Sequence, residues 1–257
     1  KEILKNKNSN IVYGPERIVQ SKSLIELPKL PQILACEKNN VFESSKKLFL
    51  RISKKIIRTS ILEAELIKLY SNANRYINFA IANQLYTICH LNNLNFKRVR
   101  NIMQDGYARN LNLANAGFTA GPCLVKDTMQ LKYFTRNSFS LGSAAMKVNE
   151  NIPNLIIDKL KMFKNYKSKK IGLLGLSFKG ETDDIRDSLS IVLLKKLKKL
   201  NLKILQSDEY YKAKNGISKK ELIKRSDIII IGAPHRAYKK LKINKKKKKL
   251  IDIWDII

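Results

Sequence analysis

Apolar residues recur at three- and four-residue intervals through Leu62, Leu66, Leu69, Ala73, Ile77, Ala80, Ile81, Leu85 and Ile88. That spacing lays them along a helix. Ser60 followed by Glu63 is a capping box at its start, so one long helix is predicted over 61–91. A shorter helix is predicted near 96–104, and further helices at 127–136 and 140–165. Between them, Asp105 to Pro122 carries Gly106, Gly117 and Gly121 and reads as irregular. Beyond 165 the pattern changes. Lys170 to Leu176 reads as a buried strand, and strands follow at Lys203–Gln206, Asp227–Ile231 and Leu250–Ile253, with a helix over roughly 187–200. Short apolar strands alternating with helices indicate βαβ units and a parallel sheet. Ahead of the long helix, Ile11-Val12-Tyr13 reads as the end of a strand running into Gly14-Pro15-Glu16-Arg17. Pro28 and Pro31 then break the chain, and Lys46 to Ile57 is a short alternating, strand-like stretch. The fold class expected is α/β, helical in its centre and Rossmann-like at its C-terminal end.

With 257 residues and about 150 per domain, one to two domains are expected. An apolar content of 44% is too high for a disordered chain. No run approaches the ~18 consecutive apolar residues of a membrane span, so no membrane partner is expected. Lys1 to Asn10 has no apolar core of a signal peptide, and the missing initiator Met is expected of a fragment. Cys36, Cys89 and Cys123 are too few and too scattered for a disulfide framework, which fits a reducing, cytoplasmic setting. No CxxC occurs and His90 and His235 lie far apart, so no metal site is expected. The net charge of +30 is the first mark of a nucleic-acid binder. Yet only 11 of the 51 basic residues are Arg, and the lysines are spread along the chain. Lys245 to Lys249 is the one cluster and reads as a solvated loop before a strand. A basic nucleic-acid-binding protein stays an alternative resting on charge alone; no nucleic-acid partner is expected.

Three stretches could carry chemistry. In Gly117-Phe118-Thr119-Ala120-Gly121-Pro122-Cys123-Leu124-Val125-Lys126-Asp127, a cysteine follows Gly-Pro at the threshold of a helix. Backbone N–H groups and the helix dipole there stabilise a thiolate. Asp127, one turn on, could hold a water or assist proton transfer. This is the layout of an activated nucleophile, although a lone cysteine is also commonly a buried hydrophobe. Lys68 and Asn72 stand at i and i+4, on one helix face, where both can donate to a developing oxyanion; an exposed lysine beside a polar residue is the plainer reading. Gly172-Leu-Leu-Gly175-Leu-Ser-Phe178-Lys179-Gly180 is a strand–loop turn able to receive an anion, but it lacks GxGxxG spacing.

Taken together and in order, these stretches resemble the UDP-glucose/GDP-mannose dehydrogenase family. The residues that carry the resemblance are Gly14-Pro15-Glu16-Arg17-Ile18, Ala64-Glu65-Leu66-Ile67-Lys68-Leu69 with Asn72, Gly121-Pro122-Cys123-Leu124-Val125-Lys126-Asp127, and Gly175-Leu176-Ser177-Phe178-Lys179 with Thr182-Asp183-Asp184-Ile185-Arg186-Asp187-Ser188. Ser226 to His235 and Ile251-Asp252-Ile253-Trp254 also look like the family. The resemblance implies that residues 1–59 are the remnant of an N-terminal NAD-binding domain. It implies that 60–165 form a central helical dimerisation domain and 166–257 a C-terminal nucleotide-sugar-binding, Rossmann-like domain. It implies oxidation of a nucleotide sugar at C6 to the uronate with NAD as cofactor. Cys123 would attack the aldehyde to give a thiohemiacetal, and hydride transfer would give a thioester that water opens. Lys68 and Asn72 would stabilise the oxyanions, Asp127 would position water, and Glu16 would serve hydrolysis. Phe178, Lys179, Arg186, Gly117 and Arg109 would meet the nucleotide sugar.

Some positions depart from the family pattern. Gln20 stands where a second Glu is expected, Ala120 replaces the first Gly of Gly-Gly-x-Cys, and Ala114-Asn115-Ala116 replaces a basic residue. Pro122 before Cys123 resembles the UDP-glucose type, which is the substrate favoured. The Pro-Glu-Arg-Ile stretch leans toward the UDP-N-acetylmannosamine type. A homodimer built on the long helix is expected, with small residues at 73, 80 and 82 letting another helix approach. A non-catalytic remnant that binds a nucleotide sugar, or only dimerises, is the alternative for the chain by itself.

Overall fold

The computed structural model describes residues 10–19, 23–244 and 246–257. Gln20, Lys245 and nearly all of the stretch Lys1 to Asn10 lie outside the described residues. The chain divides into two compact units, Lys1–Asn72 and Ala73–Ile257.

In the first unit, a single helical turn α1 (Ser23–Glu26) precedes β1 (Gln32–Ala35), α2 (Asn39–Phe49) and β2 (Ile56–Thr59). β1 and β2 pair in parallel, Gln32 opposite Ile56 and Ala35 opposite Thr59. Ile11–Tyr13 contributes only one antiparallel bridge, Tyr13 to Ala35. The alternating stretch over 46–57 is not one strand. Lys46 to Phe49 finish α2, because Val41 and Phe42, with Phe49 two turns on, bury against Leu34, Cys36 and Ile56. Extended backbone begins only at Ile56.

α3 (Ile61–Leu91) has the predicted span. Its cap is reciprocal: Ser60 N donates to Glu63 Oε2 at 2.8 Å and Glu63 N donates to Ser60 Oγ at 3.3 Å. Hydrogen bonds from the Thr59 hydroxyl, then from the Ser60 amide and hydroxyl, hold the Glu63 carboxyl down at about 2. Ala73, Ala80 and Ala82 are buried within the protein's own packing. They therefore do not form the landing strip for another helix that the sequence suggested. The exposed apolar residues of α3 are larger: Leu62, Ile67, Tyr70, Ile81, Ile88 and Leu91.

The second unit continues with α4 (Phe96–Gln104), capped by Asn95, whose side chain accepts from Arg98 N at 3.0 Å. α5 (Pro122–Phe134) starts five residues before the predicted 127, because Pro122 at its first position needs no hydrogen bond and has a helical φ. The helix expected over 140–165 is two, α6 (Ser140–Glu150) and α7 (Ile152–Lys161). Pro153, in the first turn of α7, has no N–H to continue α6. The sheet comprises β3 (Lys170–Leu174), β4 (Lys203–Ser207), β5 (Ile228–Ile231) and β6 (Lys249–Ile251), interleaved with α8 (Leu189–Lys199) and α9 (Lys219–Arg225). All pairings are parallel in the order β4-β3-β5-β6. β5 is four isoleucines, all buried, as a strand covered on both faces requires. α9 went unread in the sequence, since Leu222 alone anchors it. The fold is α/β.

One apolar core joins the helices to the sheet: Tyr86 of α3, Phe96, Phe118 and Ile156 pack in one cluster with Leu173, Leu193 and Ile230. Among the described residues no helix is long and apolar enough to cross a membrane, and no His, Cys, Asp and Glu side chains gather as a metal site.

Candidate active site

Cys123 is exposed, the second residue of α5. Gly121, the residue before the helix, has φ 102° and ψ 155°, a conformation essentially restricted to glycine. A Cβ there would lie 2.5 Å from Phe178 Cδ2. The turn that presents Cys123 is thus packed directly on the loop after β3. Sγ sits where the amides and dipole of α5 favour negative charge. Leu124 and Val125 anchor the same turn on Tyr76, Ala80 and Ala145.

The approach to this turn is fixed by a residue the sequence reading passed over. Asn83 of α3 is wholly buried. Its Oδ1 accepts from Gly117 N at 2.9 Å and its Nδ2 donates to Gly117 O at 3.1 Å. Nδ2 also donates to Asn149 Oδ1 at 2.8 Å, and Asn149 Nδ2 donates to Tyr76 O at 3.1 Å. A side-chain amide therefore pairs both backbone polar groups of one residue, which holds the loop without a ligand. The Trp254 ring closes the other side: a Cβ on Gly117 would meet it at 2.2 Å, and its Nε1 donates to Gly232 O at 3.1 Å. The available signal for Asn83 was an amide set among Ala80, Ala82 and Tyr86 on the buried face of α3.

At the carboxyl edge of the sheet, the strand order switches between β3 and β5, the place where an open α/β sheet takes its ligand. Here the loops after those strands close on each other. Gly232 N donates to Leu174 O at 2.6 Å, a Cβ on Gly175 would lie 2.3 Å from Ala233 N, and the buried His235 fills the space behind. Phe178, Lys179 and Arg186 stand outside this closure. Lys179 Nζ lies 5.6 Å from the Phe178 ring centre. Arg186 forks onto Asp184, Nε to Oδ1 at 3.0 Å and Nη2 to Oδ2 at 2.7 Å. The hydrogen bonds and charge of Asp184, with further contributions from Cys123 and Asp187, hold the guanidinium above its usual pKa.

The second unit accordingly groups Cys123, Gly117, Phe178, Lys179 and Arg186. Asp127 lies one turn beyond Cys123, buried, its Oδ1 3.7 Å from Lys126 Nζ. Arg109 is not drawn into this group by any contact shown: it lies on an exposed turn, its Nη1 donating to Tyr107 Oη at 3.1 Å. Lys68, half-buried, and Asn72, buried, share one face of α3 and belong to the first unit. Glu16, also in the first unit, is exposed and accepts from Ile18 N at 2.5 Å. None of the 257 residues supplies a GxGxxG turn, so the described residues offer no glycine-rich dinucleotide cradle.

Residues 62–151 match the central domain of the UDP-glucose/GDP-mannose dehydrogenase family, and residues 172–257 match that family's UDP binding domain. The chain belongs to the UDP-glucose/GDP-mannose dehydrogenase family. Among curated relatives of this dehydrogenase family, UDP-N-acetyl-D-mannosamine dehydrogenase of Campylobacter jejuni is 28% identical over 189 residues, 73% of this chain and 46% of that protein. UDP-glucose 6-dehydrogenase of Bacillus subtilis is 34% identical over 158 residues, 60% of this chain and 36% of that protein. A solved UDP-D-ManNAc dehydrogenase from Pyrococcus horikoshii superposes with a TM-score of 0.84 at 25% identity, covering 96% of this chain and 61% of that one. The chain spans about half the length of the curated relatives it matches.

Proposed function

We propose that this chain is the central and C-terminal part of an NAD-dependent nucleotide-sugar 6-dehydrogenase that oxidises a UDP-hexose to its uronate. Residues 1–59, 60–165 and 166–257 then correspond to a dinucleotide-domain remnant, the central helical domain and the nucleotide-sugar domain. The observation that carries the reading is the packing of the Cys123 turn, through Gly121, on the loop bearing Phe178, Lys179 and Arg186. A thiol at a helix start and a cationic, aromatic loop then face one substrate. Lys179 and Arg186 bind its phosphates, Phe178 packs on its apolar faces, and the Gly117 loop bounds the sugar.

NAD, implied by the family, supplies hydride acceptance and is held by residues other than those described. The chemistry assigned to this chain is at sulfur. Cys123 Sγ adds to the C6 aldehyde carbon, forming a C–S bond while the carbonyl electrons move to oxygen. At the later thioester, water adds to the same carbon, the C–S bond breaks and sulfur leaves as thiolate. A thiolate suits both ends because it attacks and departs readily. Lys68 and Asn72 donate to the oxyanions, Asp127 holds the attacking water, and Glu16 serves as the carboxylate of hydrolysis. Arg109 contacts the nucleotide.

Pro122 ahead of Cys123 favours UDP-glucose as the sugar. A second reading, UDP-N-acetylmannosamine, is favoured by the names of several relatives. A homodimer forms on the exposed stripe of α3. Joining the chain to a family dinucleotide domain tests the assignment: Cys123→Ser abolishes NADH production from UDP-glucose, and near-normal production overturns it. Turnover of UDP-N-acetylmannosamine but not UDP-glucose by the parent selects the second sugar.

A further inference from the structure

Both ends of the loop that carries Phe178 and Lys179 are held by one buried pair, Asp208 and His235. Asp208 follows β4, and its side chain has no exposed surface. Its Oδ2 accepts from Leu176 N at 2.5 Å, Ser177 N at 3.1 Å and Ser177 Oγ at 3.0 Å. Its Oδ1 accepts from Tyr210 N and Tyr211 N, each at 2.9 Å. At the other end of the loop, Glu181 N donates to His235 Nδ1 at 3.0 Å. Since Nδ1 accepts, the ring proton is on Nε2, which lies 3.2 Å from Asp208 Oδ2 and donates to it. The ring is wholly buried between Tyr210 and Tyr238, with centroid distances of 5.1 and 5.2 Å.

The charge balance agrees with this arrangement. Burial opposes ionisation of Asp208, yet the His235 ring and the amides of Leu176, Tyr211 and Tyr210 hold the carboxyl well below the usual range. A buried carboxylate is retained only where its lone pairs are filled. Here three of its six partners are groups of the Phe178 loop, Leu176 N, Ser177 N and Ser177 Oγ.

We propose that His235, seated on Asp208, is a positioning residue for nucleotide-sugar binding: the pair clamps Leu176 and Ser177 at one end and Glu181 at the other. Phe178 and Lys179 are then presented in place, and Phe178 is kept against the Gly121 turn. Neither Asp208 nor His235 touches the ligand. Their effect is to order the loop before binding, so that the ordering does not have to be met from the binding free energy. The proposal rests on the reading of this loop as the nucleotide-sugar loop.

The test uses the 257-residue chain, with UDP as probe and amide hydrogen exchange across Leu176–Glu181. His235→Asn keeps an acceptor near the Nδ1 position but loses the donor to Asp208. His235→Gln keeps a donor near Nε2 but loses the acceptor for Glu181 N. Each variant is expected to bind UDP at least tenfold more weakly. Faster exchange is expected at Leu176 and Ser177 in the first variant and at Glu181 in the second. A merely structural role would lower Tm and leave the UDP affinity of the folded protein unchanged. UDP affinity within twofold of the parent in both folded variants overturns the clamp while leaving the nucleotide-sugar reading intact. If the parent itself binds no UDP, that reading fails, and the clamp is decided by exchange alone: unchanged protection in both variants overturns it. Should the His235 variants not fold, Asp208→Asn, which keeps shape and removes charge, is held to the same criteria.

Discussion

Replacing Gly121 by Ala tests the joint between the cysteine turn and the loop after β3. Two costs add. The backbone at φ 102°, ψ 155° is strained for any L side chain by about 1–3 kcal/mol. The new Cβ would stand 2.5 Å from Phe178 Cδ2 and 2.7 Å from Cε2, against an ordinary carbon contact of about 3.5–4 Å. The ring must retreat by roughly 1 Å, and overpacking of that kind costs about 1–3 kcal/mol. The sum is about 2–6 kcal/mol. For a unit the size of residues 73–257, each kcal/mol moves Tm by about 2–4 °C, so a fall of roughly 5–20 °C is expected. Gly106→Ala is the control: its φ of 64° is also positive, but a Cβ there meets nothing within 4 Å, so only a backbone cost of about 1–2 kcal/mol remains. Urea melts of Gly121→Ala, Phe178→Ala and the double variant then separate the terms. The double variant should recover the steric share, and iodoacetamide labelling of Cys123 should change rate in Gly121→Ala. A Gly121→Ala melt within about 0.5 kcal/mol of the parent would refute the packing argument.

Asn83→Ala strands the N–H of buried Gly117 and the side-chain Oδ1 of Asn149, while Gly117 O keeps Thr119 N at 2.8 Å. At about 1–3 kcal/mol for each buried group left unpaired, a loss of at least about 2 kcal/mol is expected in urea; a loss below 1 kcal/mol would show that the amide pairing is incidental. Glu63 has its pKa lowered from 4.5 to about 2, so its cap contributes fully above 4.5 and is lost as pH falls toward 2. Amide exchange at Ser60, whose N–H the Glu63 carboxylate accepts, should quicken across that window in the parent and not in Glu63→Gln; equal profiles would remove the cap from the account. Ile81→Lys and Ile88→Lys place charges on the exposed apolar stripe of α3 and should convert a dimer to a monomer by light scattering at moderate salt. A parent already monomeric at micromolar concentration refutes the interface. The net charge of +30 makes any such dimer weaker at low salt.

The sequence was most legible where one periodicity ran long. α3 and the β3–α8–β4–β5 succession could be read because their apolar spacing persists over several turns or strands. α2 was misread because Lys46 to Ile57 mixes the end of a helix with the start of a strand, and a short window supports either period. α5 begins ahead of the expected 127 because its first turn, Pro122 to Val125, has no apolar period long enough to mark it, although Pro is a common first residue of a helix. Of the site, Cys123 and the Phe178–Arg186 loop could be found from local motifs. Asn83 and Asp208 could not, and His235 and Trp254 show in the sequence only within family-like stretches that give them no role, since each acts on a backbone group far along the chain. A buried amide at position 83 gives no local sign that its partner is Gly117.

The apolar cluster shared by helices and sheet has a consequence for how the molecule comes apart. Phe118, Leu155 and Ile156 on the helical side complete the same interior as Leu173, Leu193 and Ile230 on the sheet side. A cut in the exposed Lys164–Lys169 connection would sever the backbone without supplying either half with a closed interior. The two pieces should therefore remain associated after nicking and melt in one transition. Residues 152–171, between the two stretches that match the family, thus lie inside one cooperative unit of unfolding.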